Sequence, residues 1–482
     1  METVLNTDSL NEKNSNEFND DEHELFNPVL ASIRLDKLAD YASSIRKTLD
    51  HHSANFSAVI VGSPIFGSYH ILYPIEFLDK VRWLLKVPIN GTRDKFCDLD
   101  ARSIRSEAST MRYLRKITTI PIPDVITFSS SCDNELNCPF ILMSYIDGKP
   151  LYDIWFDRTQ PNDVIEARRT KSLQGVAAAM VQLGQVSFEQ AGSLFTSELN
   201  GDIDANSLEI WPLRLVNNIA MLERMKDDDY DDLPIYLEAG PFRDFQAYFT
   251  ALLDYREKSP TTDFTRGQLI LLRILLDWIP EPKLRDECKP FVLAHPDLDI
   301  QNVLVAEDGT LQGIIDWDGV CSVPRPVGNE RFPSWLTRDW DPAMYGWNED
   351  MERGVEPVGV WEDSPEILRK YRSIYVGFMQ SFARSNNNPL FGLTRNSIIY
   401  ENLLIAANDP LCTFGILQKV FGEIQNHVRT DVLQSESSDE EGLEEFDLHN
   451  ISWALSENRL SECHLNLLKQ GFHLLLNGEE VL

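Results

Sequence analysis

The sequence predicts an α+β chain whose strands gather early and whose helices come late. Three observations carry this. Short apolar, β-branched runs crowd the stretch before residue 146: Ala58–Val61, Ile71–Phe77, Arg82–Val87 and Phe140–Ile146. From Leu151 onward, apolar residues recur at helical spacing instead. One strong hairpin interrupts those helices, where Val303–Ala306 and Leu311–Ile315 flank Glu307-Asp308-Gly309-Thr310. An Asp-Gly between short apolar runs is a tight-turn signal. With 482 residues the chain exceeds one ordinary domain, so two packed lobes with appendages fit its length.

Residues 1–27 are polar and acidic and are expected to form a disordered tail. Leu35, Leu38, Ala39, Ala42, Ile45 and Leu49 share one helical face, which predicts an amphipathic helix over 35–49 packed on a first lobe, residues 28–146. Within that lobe, Gly62 and Gly67 punctuate the turn Gly62-Ser63-Pro64-Ile65-Phe66-Gly67-Ser68-Tyr69-His70. Such a turn can cover phosphates with backbone N–H groups; the alternative is a plain hairpin turn. A helix over 99–116 is stopped by Ile120-Pro121-Ile122-Pro123, because proline removes a donor and disfavours helix before it. Asp147-Gly148-Lys149-Pro150 breaks the next strand and opens a mainly helical second lobe, 147–433. Its helices are expected over 172–185, 242–255, 265–278, 368–384 and 411–428. Asp227–Asp232 reads as a solvated acidic loop. Residues 434–446 are a Ser- and acid-rich segment, either a solvating linker or an acidophilic kinase target. Residues 447–482 give one or two last helices packed on the second lobe.

The hairpin suggests the chemistry. Asn302 stands just before its first strand and Asp316 just after its second, so antiparallel pairing returns both side chains to one end. Asp297, in the loop feeding that end, adds a third oxygen donor. Phosphoryl transfer needs such a set. One carboxylate, Asp297, positions the attacking hydroxyl and accepts its proton, while an amide oxygen and a second carboxylate, Asn302 and Asp316, hold Mg2+ on nucleotide phosphates. Magnesium keeps several waters, so two side chains plus phosphates suffice. The spacing matches the D-x-x-x-x-N of kinase catalytic loops. It departs in two ways: His295-Pro296-Asp297-Leu298 has no arginine before the aspartate, and Trp317-Asp318 stands where kinases carry Phe-Gly. His295 is expected to brace the loop by hydrogen bonds. Asp318 is expected to be structural, with contact to a second metal as the alternative.

On these residues the chain resembles the aminoglycoside phosphotransferase and choline kinase branch of the protein-kinase-like fold, and within it the fungal members. The resemblance runs from about Leu35 to about Pro342 and is strongest at His295–Asp318 and Arg331–Pro342. It implies two lobes, a small antiparallel-sheet N-lobe and a large, mainly helical C-lobe, with ATP and Mg2+ in the cleft. It implies that Lys86, a cation in an apolar strand, reaches the nucleotide phosphates and is held by Glu107 on the next helix; the plainer reading sets Lys86 on a solvent face. Gly67 and Ser68 look like the phosphate-covering turn, with His70 where the family often ends in Asn. Met143 and Tyr145 fall in the linker whose backbone hydrogen-bonds the purine, unless the stretch is an ordinary edge strand. Asp339 and Asp341, in the aromatic stretch Phe332–Pro342, are candidates to hold a cationic amine, although tryptophans are more often core.

Composition sets limits. At 43% hydrophobic and 10% aromatic the chain is globular. A formal net charge of -32 argues against a nucleic-acid partner, since phosphates would be repelled, and mildly favours a cationic acceptor. Seven scattered cysteines without C-x-x-C point to a reducing compartment and no zinc site; Cys132 and Cys138 are loop thiols or one bridge. No run approaches the roughly 20 apolar residues of a membrane span. The N-terminus shows neither a signal-peptide core nor an Arg-rich transit bias, so a cytoplasmic location and no membrane partner are expected. The expected function is an ATP- and Mg-dependent phosphotransferase acting on a hydroxyl of a small molecule. Two rivals stand beside it. The irregular Gly62–His70 turn suggests a catalytically silent kinase-like scaffold. A protein kinase is disfavoured by the missing Ala-Pro-Glu segment and catalytic-loop arginine.

Overall fold

The computed structural model describes residues 24–49, 58–60, 63–196, 208–226, 233–256, 262–282, 289–385, 393–435 and 445–477. Of the features read from sequence, the tail up to residue 23, Gly62, Asp227–Asp232 and the acidic stretch 436–444 lie outside the described residues.

The first lobe is built on one antiparallel sheet. Its strand order is Ala58–Ile60, His70–Phe77, Arg82–Pro88, Phe140–Ser144 and Val125–Ser129, and Ile65–Phe66 also pairs with His70–Phe77. Burial alternates along His70–Phe77, with Ile71, Tyr73, Ile75 and Phe77 inside, as a strand with one covered face requires. Leu38 and Ala42 of the helix Leu38–Leu49 join the same core, together with Val29 of the short helix Asn27–Ser32. So does Phe26, at 3% exposure, which corrects the tail expected over 1–27. Its ring packs edge-on against Phe66 at 5.2 Å, and burying one aromatic outweighs the polarity of its neighbours. Cys132 and Cys138 are separate, buried thiols.

The second lobe is mainly helical and carries the hairpin Val303–Val305 and Leu311–Ile314. Helix Asn162–Leu183 begins well before residue 172; its first turns carry no buried apolar stripe, so periodicity does not reveal them. Phe245–Arg256, Asp263–Asp277, Pro365–Ser385 and Thr413–Ser435 lie close to their expected places. Leu393–Asn408 was not legible: Ile398, Ile399, Tyr400, Leu403, Ala406 and Ala407 are buried around most of its circumference, which erases amphipathic contrast. Leu448–Ser456 and Glu462–Asn477 complete the lobe. The acidic segment expected over 434–446 is shorter than that, since helix runs to Ser435 and Phe446 is buried against Phe421 at 5.1 Å. Among the described residues, no helix is long and apolar enough to cross a membrane.

Short strands missed in sequence also lie here. Glu209–Trp211, Gly192–Phe195, Cys321–Pro324, Phe291–Ala294 and Ser187–Phe188 form a five-stranded sheet in that order, and Leu213–Val216 pairs with Tyr236–Ala239. The hairpin pairs Val303–Val305 with Leu311–Ile314, Val303 facing Ile314. Lys149–Pro150 pairs on the other edge of Val303–Val305, tying the hairpin to the entry of the lobe. At the turn, Gly309 has φ +82°, and an added Cβ would collide with the backbone carbonyl of Arg168. Dihedral and close approach both demand glycine. Gly309→Ala should therefore destabilise the protein by about 1–3 kcal/mol. A urea midpoint equal to that of the parent protein would contradict this.

Candidate active site

Lys86 is buried at 6% exposure within Arg82–Pro88, not on a solvent face. Its Nζ donates to Glu107 Oε1 at 2.8 Å and to Asp316 Oδ1 at 3.0 Å. Glu107 comes from the helix Asp98–Ile117 and is also buried. Burial works against the ammonium, but Glu107, Asp316 and Asp318 outweigh it and hold the Lys86 pKa above its ordinary value. Lys86 in turn pulls the Asp316 carboxyl down to about 2.

The hairpin ends meet by a backbone bond. The Ile315 N–H donates to the Asn302 carbonyl at 2.9 Å, which fixes the neighbouring Asp316 beside Asn302. Asp316 itself has φ +61°, a left-handed conformation that aspartate tolerates better than most residues. The Asn302 amide nitrogen donates to the Asp297 carbonyl at 2.9 Å and to Asp297 Oδ2 at 3.0 Å. Its amide oxygen takes part in neither bond. Burial, then the nearby Asp299 and Asp316, push the Asp297 carboxyl up to about 6. The Asn302 oxygen and the half-exposed Asp316 carboxylate are hard donors of the kind magnesium takes. Among the described residues, no group of three or more His, Cys, Asp or Glu side chains could hold a metal ion. Two oxygen donors alone would leave a cation to draw its remaining ligands from phosphates and water.

Two further residues stiffen this loop. His295 donates from Nε2 to the Ile315 carbonyl at 2.9 Å and packs edge-on against Trp317 at 4.6 Å. Burial lowers its pKa to about 4, so the ring is a neutral brace at physiological pH. Arg331 donates to the carbonyls of His295 and Pro296 and to Glu401 Oε1 at 2.7 Å. Sequence reasoning placed Arg331 in a recognisable motif without assigning it this clamp. Asp318 accepts from Ser103 Oγ at 3.2 Å and lies 3.9 Å from His70 Nε2. Against its burial, Lys86, His70 and Arg214 hold its pKa below the ordinary value.

Three sets of contacts bear on residues named from the sequence. The Gly67 N–H donates to the His70 carbonyl at 2.9 Å and is taken up by the turn itself. The Tyr145 N–H donates to the Arg82 carbonyl at 3.0 Å, and Met143 sits in the ladder between Leu84 and Val125. Ser144, Tyr145 and Ile146 line the cleft at the linker. Asp339 takes two hydrogen bonds from Arg372, at 2.6 and 3.2 Å, and is buried away from the cleft wall. Asp341 does line the cleft. One cavity of about 2680 Å³ runs past Ser68, Lys86, Asp297, Asn302, Asp316 and Asp341.

A two-lobed kinase-like fold with a Lys–Glu pair facing an Asp/Asn/Asp hairpin is the arrangement of the phosphotransferase class. The phosphotransferase enzyme family (APH) matches residues 82–325, just over half of the chain, and the chain belongs to that family. "Altered inheritance of mitochondria protein 9, mitochondrial" of Candida glabrata is 24% identical over 364 residues, which are 63% of this chain and 55% of that protein. The protein of the same name in Kluyveromyces lactis is 24% identical over 367 residues, 67% of this chain and 57% of that protein. The chain thus spans about half the length of the curated relatives it matches. Their names overturn the cytoplasmic expectation, since these relatives are named as mitochondrial proteins. Similar solved structures include a Plasmodium vivax ethanolamine kinase, 13% identical with a TM-score of 0.38, covering 94% of this chain and 98% of that chain. Another is an aminoglycoside phosphotransferase in ternary complex with AMP-PNP and hygromycin B, 11% identical with a TM-score of 0.38, covering 89% and 98%.

The Lys86–Glu107 pair generates a test of stability. Lys86→Met removes the cation and leaves a buried carboxylate uncompensated, at a cost of roughly 3–5 kcal/mol. Adding Glu107→Gln should recover most of that loss. Denaturant titration of both variants checks it, and a single variant as stable as the parent would contradict it.

Proposed function

We propose that this protein transfers the γ-phosphoryl group of ATP to a hydroxyl of a small molecule. The observation that carries the reading is the linkage of Asp297, Asn302 and Asp316 at one hairpin mouth, with Lys86 bridging Asp316 to Glu107. When bound, Mg-ATP supplies the phosphoryl group and the divalent charge that offsets it. Asp297 accepts a hydrogen bond from the acceptor hydroxyl and takes its proton, with its orientation fixed by the Asn302 amide. A carboxyl displaced to about 6 is ionised at neutral pH yet basic enough to share that proton. The Asn302 oxygen and Asp316 hold the magnesium. Lys86 steadies the phosphate oxygens, kept in aim by Glu107. The turn at Ser68 and Tyr69 covers the phosphates, and the linker from Ser144 to Ile146 faces the purine edge. Asp341, which lines the cavity with no ion pair among the described residues, and the net charge of -32 favour an acceptor bearing an amine.

A second reading, a catalytically silent scaffold, is favoured by the bonded Gly67 N–H and the neutral His70, whose burial lowers its pKa to about 4. ADP release measured with a panel of amino alcohols, sugars and aminoglycosides separates the two. The phosphotransferase reading predicts turnover with at least one acceptor, and a fall of roughly a hundredfold or more in Asp297→Asn. Mg-ATP affinity should change little in that variant. Turnover should also rise with pH through about 6 and level off above it, because protonated Asp297 cannot accept the hydroxyl proton. Undiminished turnover in Asp297→Asn would refute the role, and no ADP release across the panel would favour the scaffold.

A further inference from the structure

The short strands Glu209–Trp211, Leu213–Val216 and Tyr236–Ala239 belong to the second lobe, yet they dock on the first-lobe helix Asp98–Ile117. Arg214 is the centre of the contact. Its guanidinium donates to Asp100 Oδ1 at 2.7 Å and to Ser103 Oγ at 3.3 Å, and lies 3.4 Å over the Tyr236 ring. Arg102 adds a flanking bond to Glu238 at 2.7 Å. The Arg214–Asp100 pair is largely buried, with side chains 16% and 9% exposed. A planar fork engaging two partners and stacked on an aromatic is well ordered, unlike a surface ion pair.

Asp100, Ser103 and Glu107 fall three and four residues apart, on one face of the helix. That face therefore carries three attachments in a row. Asp100 takes Arg214, Ser103 relays from Arg214 to Asp318, and Glu107 takes Lys86. Asp100 also caps the helix, its other oxygen accepting the Cys97 N–H at 3.1 Å. Loss of Arg214 thus leaves the cap and the flanking Arg102–Glu238 bond in place and removes the buried charged tie to the second lobe.

We infer that Arg214 is a positioning residue, a latch that fixes the helix so that Glu107 stays on Lys86. The functional consequence rests on the proposed role of Lys86 in orienting nucleotide phosphates. The latch explains how a pair drawn from the sheet and the helix of one lobe is kept in register with Asp316 on the other.

The full chain with Arg214→Ala, Arg214→Lys and Glu107→Gln provides the test. Mg-ATP affinity is read by calorimetry and hydrogen exchange is followed across residues 98–117. Arg214→Ala should weaken Mg-ATP by about tenfold or more, the scale of one charge-assisted hydrogen bond, and should speed exchange in the helix. Arg214→Lys should fall between, since an ammonium cannot serve both Asp100 and Ser103. In the Glu107→Gln background, Arg214→Ala should weaken binding no further, because the latch acts through Glu107. A merely structural role predicts that the two effects multiply, and that result would overturn the inference. So would affinity and exchange equal to the parent's in Arg214→Ala. If that variant fails to fold, Asp100→Asn keeps a cap acceptor, loses the charge partner and should show the same loss. If the parent protein binds no Mg-ATP, the nucleotide reading fails; unchanged exchange in the helix then overturns the latch, and faster exchange upholds it.

Discussion

A lysine ammonium sits in this cleft almost without water, and it stays charged there only because carboxylates reach it from both lobes. Glu107 approaches from the first-lobe helix and Asp316 from the end of the second-lobe hairpin. A buried cation with one partner lost is costly, so sheet, helix and hairpin are bound into one arrangement. The covering of the first-lobe sheet by Phe26, Val29 and Leu38, and the close turn at Gly309, serve that same arrangement.

The hairpin contributes rigidity as well as residues. Its ends are closed by the Ile315–Asn302 bond, braced by neutral His295 against Trp317, and clamped by Arg331 to the helix Leu393–Asn408. Arg331 engages the loop through backbone carbonyls, so the clamp fixes the path of the chain that carries Asp297. Three oxygen donors are thereby held together by the chain's own hydrogen bonds, the preorganisation that the proposed phosphoryl transfer would depend on.

How much of this was legible in the sequence depended on distance along the chain. Asn302 and Asp316 could be brought together on paper because one tight turn separates their strands, and local pairing does the rest. Lys86 and Glu107 carried no such local signal; only the resemblance to the kinase-like branch suggested their meeting. Strand parity defeated the linker assignment, since nothing in Phe140–Ile146 says that the Tyr145 N–H turns toward Arg82. Asp339 was lost to Arg372, on a helix whose packing against that stretch is a tertiary fact. Leu393–Asn408 escaped because a helix buried nearly all round shows no amphipathic period. Arg214 was overlooked because its partners, Asp100 and Ser103, lie in the other lobe.

The proposed phosphoryl transfer depends most directly on where a divalent ion binds. Crystals grown with Mn2+ and a non-hydrolysable ATP analogue allow the ion to be located by its anomalous scattering. One peak is expected at coordination distance, about 2.1 Å, from the amide oxygen of Asn302 and a carboxylate oxygen of Asp316, with Asp297 beside it and unligated. A nucleotide bound in the cleft with no ion on those two residues, or an ion held elsewhere, would contradict it.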